Sequence, residues 1–191
     1  IVSYVKSAGN KDIEGMSIAA IAEKWEKNIV DTVCKLMSDE KGEAMNITFW
    51  GTEEDVDTLL RHPAVMPCSD GWVLAPTGPL GAGKPHPRCY GAFPRYIDQY
   101  VKQKKILGLE EGIRRMTSMP ATRLGIQDRG IIRVGMTADI TIFNLEKIKD
   151  IATFSDPHRY PEGIEYVIIN GETTVEKGRH TGALVGELLT R

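Results

Sequence analysis

Apolar positions along the chain come in short blocks whose spacing names the element each block forms. Residues 1–5 (Ile-Val-Ser-Tyr-Val) are β-branched and aromatic and predict a buried strand. Ser17 is placed to cap a helix that carries Ile18, Ile21, Ala22 and Trp25 on one face. A second amphipathic helix is expected over residues 29–37, with Val30, Val33, Cys34 and Met37 at helical spacing. Residues 45–50 predict a short strand. Thr52 then precedes Glu53, Glu54 and Asp55, carboxylates that favour the positive end of a helix dipole, in a helix expected to bury Val56, Leu59 and Leu60. Residues 64–69 predict a short apolar strand that ends abruptly in Ser69-Asp70-Gly71.

From Trp72 to Pro94 the pattern stops. Prolines at 76, 79, 85, 87 and 94 and glycines at 78, 81, 83 and 91 predict a long loop, and loops of that length in compact domains are mostly functional or disordered. Helices are expected over 95–104, with Ile97, Tyr100 and Val101 inward, and over 109–117, with Leu109, Ile113 and Met116 inward. A helical turn from Pro120 should stop at Gly125. Beyond it the chain turns β-rich, with strands predicted at 131–134, 139–144, 165–170 and 173–176. Asn170-Gly171 between two of them is a hairpin signal, because a type I′ turn needs positive φ at both central residues. Strand–helix alternation predicts part of an α/β fold with parallel strands. A whole (β/α)8 barrel takes about 250 residues, and only two or three strand–helix units can be counted. The sheet is therefore either small and open or the tail of a barrel.

Composition narrows the function classes. The 24 Lys+Arg and 26 Asp+Glu give a formal net charge of -2, which argues against a dedicated nucleic-acid or anionic-membrane binder. No apolar run approaches the roughly 20 residues that span a bilayer. No basic leader precedes an apolar core at the start. Ile1 opens the chain instead of Met, so a piece of a longer polypeptide is expected. Three widely spaced cysteines make a disulfide scaffold improbable and point to a reducing, cytoplasmic setting, with Cys34 and Cys68 read as buried small apolar residues.

Candidate chemistry gathers around the long loop. Asp70 stands at the carboxyl end of an apolar strand, where active sites of parallel α/β folds assemble. A carboxylate there takes a proton from water or binds a divalent cation, although Asp-Gly is equally a turn dipeptide. Pro85 and Pro87 fix two φ angles around His86 and Arg88, presenting both from a stiffened backbone. A guanidinium held in this way suits capture of a carboxylate, the plain alternative being a solvated loop arginine. His62, His86, His158 and His180 show no metal-ligand spacing.

Ser69-Asp70-Gly71 followed by His86-Pro87-Arg88-Cys89-Tyr90-Gly91-Ala92-Phe93-Pro94-Arg95 resembles the N-acyl-D-amino-acid deacylases (D-aminoacylases) of the amidohydrolase superfamily. The resemblance continues through Met116-Thr117-Ser118-Met119-Pro120-Ala121, Asp128-Arg129-Gly130, Gly135-Met136-Thr137-Ala138-Asp139-Ile140, Ala152-Thr153-Phe154 and Asn170-Gly171 to Thr181-Gly182-Ala183. Upstream, Glu14-Gly15-Met16-Ser17-Ile18 looks like the start of the family's inserted segment. It implies the C-terminal units of a metal-dependent-hydrolase TIM barrel over residues 1–129, with an insertion at about 10–52. Residues 130–191 would then be a β-rich part of the small β-domain. It further implies zinc in the full-length enzyme and a small-molecule N-acyl amino acid substrate, with Asp70 as catalytic base and candidate metal ligand. Arg88 would grip the substrate's α-carboxylate, with His86 beside it. The family's other metal ligands are not found in these residues, so the segment alone is expected to be inactive and to self-associate through uncovered surfaces. The alternatives are a dihydroorotase- or hydantoinase-like cyclic amidohydrolase and a non-catalytic association module.

Overall fold

Polar side chains start the first helices as the sequence predicts. In the computed structural model, which describes residues 1–189, the Ser17 hydroxyl accepts from the Ala20 amide at 3.1 Å and opens α1, Ile18–Lys24. Asn28 accepts from the Asp31 amide at 2.8 Å and opens α2, Ile29–Asp39. Ahead of them lies strand β1, Val2–Tyr4, paired antiparallel with β2, Met45–Asn46. Val2, Val5, Ile13, Ile21 and Leu36 form a buried cluster, with Met16, Ile18, Trp25 and Ala44 packed against it. These elements belong to the first of two compact units, made of Ile1–Trp50, Asp70–Tyr90 and Ala152–Arg159; the other described residues make the second.

In the second unit, α3 (Glu53–Arg61) starts with a capping box in which the Thr52 hydroxyl accepts from the Asp55 amide and the Asp55 carboxylate accepts from the Thr52 amide. Helix α4, Arg88–Arg95, whose first three residues belong to the first unit, contains Pro94, which lacks an amide donor, and the chain continues as a π-helix over Tyr96–Gln103. Helices α5 (Leu109–Met116) and α6 (Ser118–Leu124) follow, and Gly125 ends α6 in the left-handed conformation. Leu60, Tyr96, Ile97, Tyr100, Val101 and Ile148 form the core, supported by Leu109, Ile113 and Met116 as expected. Arg115 is buried in this unit and donates to the carbonyls of Leu60, His62 and Val65, at and beyond the end of α3.

The β-rich end is an antiparallel meander of β3 (Ile140–Phe143), β4 (Ile164–Ile169), β5 (Glu172–Glu176) and β6 (Arg179–His180). Asn170 and Gly171 turn β4 into β5 with φ of 51° and 82°, the predicted type I′ geometry. Three motifs distant in sequence meet beside this turn. Arg129 bonds to Asp139, to Asn170 Oδ1 at 3.0 Å and to Glu187, while the Asp139 carboxylate accepts from the Asn170 amide at 2.8 Å. The Asp-Arg-Gly, Ala-Asp and Asn-Gly motifs thus tie the meander together.

Several expectations are corrected. The mixture of helices and sheets stands, but every strand pair among the described residues is antiparallel. Residues 64–69 form no ladder, since an extended segment becomes a strand only when neighbours take its amides and carbonyls. Residues 131–134 also form no strand, and Ile132 and Val134 face solvent. On α2 the buried positions are Thr32, Leu36 and the capping Glu40, so Val30, Val33, Cys34 and Met37 are exposed. Cys68 is exposed as well, in the segment before Asp70 that joins no sheet. In α3 only Leu60 is buried, with Val56 and Leu59 outward. The loop after Trp72 ends at Pro87 rather than Pro94, because α4 begins at Arg88.

Candidate active site

Asp70 sits in a backbone conformation that few side chains accept. Its φ is +44°, in the left-handed region, which aspartate tolerates because its short carboxylate can bond locally. The turn meets Arg88 twice. Arg88 Nη2 lies 2.6 Å from Asp70 Oδ2, and Arg88 Nε donates to the Asp70 carbonyl at 3.1 Å. The two residues singled out in the sequence are therefore one constellation, although 18 positions separate them.

The pair is open to solvent, with side-chain exposures of 77% for Asp70 and 45% for Arg88. Exposed ion pairs contribute about 0–1 kcal/mol to folding, so this contact is cheap to exchange. A substrate carboxylate can take the guanidinium at little cost, which releases the Asp70 carboxylate for other work.

The arch that carries Arg88 is anchored at its base. Lys84 donates its amide to the Ser3 carbonyl of β1 at 2.5 Å. Gly83 has φ of +75°, and a Cβ there would fall 2.7 Å from the Ser3 carbonyl oxygen, so only glycine lets the loop lie this close to the strand. His86 accepts the Arg88 amide on Nδ1 at 3.0 Å and packs edge-on against Phe154, with ring centroids 5.0 Å apart. Phe154 meets Phe49 at the same separation. His86 thus orients the arch through its ring and its Nδ1.

Two side chains outside the predicted set complete the arrangement. His158 bonds Tyr90 Oη through Nδ1 at 2.8 Å and the Gly83 carbonyl through Nε2 at 3.0 Å. Sequence spacing considered His158 only as a metal ligand, and no local pattern reveals a partner 68 residues away. Glu40 is the second. It is buried, and its carboxylate accepts from the Lys6 amide at 2.7 Å, the Ser7 amide at 2.9 Å, the Ser7 hydroxyl and Asn10 Nδ2 at 2.6 Å. Burial alone pushes its pKa up, but the bonds from Ser7, Asn10 and Lys6 overcome burial and lower it from 4.5 to about 2. Glu40 thereby fixes the chain just beyond β1.

A zinc ion needs several ligands, and among the described residues no three His, Cys, Asp or Glu side chains come together. His158 has both ring nitrogens engaged, and His86 uses Nδ1 for the Arg88 amide. Asp70 offers a single carboxylate, so the donor set present here does not by itself fit the metal.

The chain is similar to known proteins. Residues 15–175 match the amidohydrolase family. The chain is 34% identical over 165 residues to an N-acyl-D-glutamate deacylase of Alcaligenes xylosoxydans xylosoxydans, covering 86% of this chain and 31% of that protein. A crystal structure of D-aminoacylase superposes with a TM-score of 0.86 at 29% identity, over 100% of this chain and 37% of that one. The N-acyl-D-glutamate deacylase of Bordetella bronchiseptica, solved with zinc and a phosphonate mimic of the tetrahedral intermediate, gives a TM-score of 0.79 at 29% identity, over 91% and 34% of the two chains. Matches to dihydroorotases cover 31% to 46% of this chain. Among the described residues no helix is long and apolar enough to cross a membrane. The chain spans about a third of the length of the N-acyl-D-glutamate deacylase and the D-aminoacylase that it matches, and it belongs to the amidohydrolase family, where its likeness is to the D-aminoacylases.

Proposed function

We propose that this chain is the C-terminal part of an amidohydrolase that cleaves N-acyl-D-amino acids to a carboxylic acid and a D-amino acid. The observation that carries the reading is the exposed, exchangeable Asp70–Arg88 pair, which presents a proton acceptor and a carboxylate receptor side by side. Residues 1–129 are assigned to the end of a TIM barrel, with an insertion at about 10–52, and residues 130–191 to the small β-domain.

In the proposed reaction Arg88 takes the α-carboxylate of the substrate. Asp70 accepts a proton from the attacking water as its oxygen bonds to the amide carbon. It then delivers that proton to the departing nitrogen as the C–N bond breaks, and the carboxylate is regenerated. His86 keeps Arg88 in place by accepting its amide. Zinc is proposed as the cofactor of the complete enzyme, by likeness to the zinc-containing relative; its chemistry is to acidify water and polarise a carbonyl. Asp70 is the candidate ligand within this chain. Three free cysteines suit a reducing, cytoplasmic compartment.

The decisive measurement is hydrolysis of N-acyl-D-amino acids by the complete enzyme and its Arg88→Ala variant. Loss of a charge-assisted contact is expected to raise KM for these substrates about 10- to 100-fold. KM for the matching α-carboxamides should hardly move. An equal loss on both substrate types would remove Arg88 from the carboxylate site.

A second expectation concerns the isolated chain. Val30, Trp50, Val73, Ile132 and Val134 are large apolar residues facing solvent. The isolated 191-residue chain is accordingly expected to self-associate. Light scattering that gave a monomer mass at every concentration would contradict this.

A further inference from the structure

The arch carrying His86 and Arg88 has stiff interior geometry, with Pro85 and Pro87 fixing two φ angles. Its far end is wound into the start of α4, where the Cys89 amide donates to the His86 carbonyl at 3.1 Å and the Tyr90 amide to the Pro87 carbonyl at 3.0 Å. A stiff arch still pivots unless both feet are held. The near foot is Gly83 and the far foot is Tyr90, and one side chain bridges them. A carbonyl oxygen only accepts, so His158 Nε2 carries the proton donated to Gly83. Nδ1 of the neutral ring is then an acceptor, and the Tyr90 hydroxyl donates to it. The rings of Tyr90 and His158 also meet edge-on, with centroids 5.6 Å apart, which fixes the imidazole plane.

We infer that His158, fixed as its Nε2–H tautomer by Tyr90, is a positioning residue that clasps the two ends of the arch and thereby aims Arg88 at the substrate carboxylate. The inference rests on the carboxylate-binding role proposed for Arg88. His158 touches no substrate in this scheme and acts through the backbone at Gly83 and the first turn of α4. Substrate binding at the guanidinium is therefore what its removal disturbs, while proton transfer at Asp70 is left largely intact.

The test uses Tyr90→Phe, His158→Ala and His158→Gln in the complete enzyme, assayed on an N-acetyl-D-amino acid and on its α-carboxamide. Tyr90→Phe, which deletes one hydroxyl, keeps the question open to experiment where His158→Ala fails to fold. Tyr90→Phe is expected to raise KM for the carboxylate substrate about 3- to 10-fold, and His158→Ala more, with kcat and the carboxamide kinetics changed less than twofold. His158→Gln keeps a donor for the Gly83 carbonyl and should recover part of the loss. Equal loss on both substrates, as general destabilisation would give, overturns the clasp. Arg88→Ala is the reference. Where it discriminates between the substrates and Tyr90→Phe does not, the clasp is wrong and the carboxylate site stands. Where Arg88→Ala fails to discriminate, the carboxylate site falls and takes the aiming role with it. Amide hydrogen exchange at Gly83 and Lys84 in the same variants reads the clasp directly. Exchange unchanged by Tyr90→Phe and His158→Gln would refute it whatever the kinetics.

Discussion

Replacing Asp70 by asparagine in the complete enzyme is expected to lower kcat about 10²- to 10⁴-fold, the usual contribution of a positioned general base. The direction of KM makes the result diagnostic. Asp70 Oδ2 is 2.6 Å from Arg88 Nη2, so in the resting site the carboxylate competes for the guanidinium. Removing its charge leaves Arg88 freer to take an α-carboxylate, and KM should stay level or fall while kcat collapses. If Asp70 merely orients Arg88, the opposite holds. Then kcat survives and KM rises, because the arginine loses its brace. Steady-state kinetics on one N-acyl-D-amino acid separates the two, and a variant with wild-type kcat would end the case for Asp70 as base.

Replacing Glu40 by alanine should give the largest stability loss, about 3 kcal/mol or more by denaturant unfolding. Its carboxylate answers two backbone amides, a hydroxyl and an amide side chain in a buried position, and alanine leaves these donors without an acceptor. Glu40→Gln should be milder. Ser7 can rotate its hydroxyl and Asn10 can turn its amide to accept from the new NH2 group, while the remaining oxygen still serves Lys6 and Ser7 amides.

The pH dependence has a definite sign. The folded pKa, at about 2, lies below the usual 4.5, so the folded state prefers the ionised carboxylate. The stabilisation is fully present above about pH 4.5 and is lost as pH falls through that value towards 2. Glu40→Gln should lose acid sensitivity in that window. Unchanged acid unfolding in this variant would show that other carboxylates govern it.

The sequence by itself determined the elements whose cause is local. Ser17 and Thr52 start their helices through their own side chains, Gly125 stops α6, and Asn170-Gly171 makes its turn because those residues accept positive φ. Asp70 and Arg88 were singled out from the abrupt end of an apolar run and from two prolines, and the structure pairs them. Periodicity failed where polar groups are satisfied inside. On α2 the stripe that turns inward is Thr32, Leu36 and Glu40, because Thr32 returns its hydroxyl to the Asn28 carbonyl and Glu40 collects amides from the segment after β1. Hydrophobicity alone therefore chose the wrong face, and Val30 and Met37 lie outside. Residues 64–69 have a strand's composition but no ladder among the described residues, since strand identity depends on neighbours that a local pattern cannot supply. Tertiary structure alone decided the pairing of Asp70 with Arg88, the convergence of Arg129, Asp139 and Asn170, and the bridge from His158 to Gly83 and Tyr90. Each joins groups far apart in sequence, and hydrogen-bond partners at such separations are fixed by the path of the backbone rather than by any property of the residues between them.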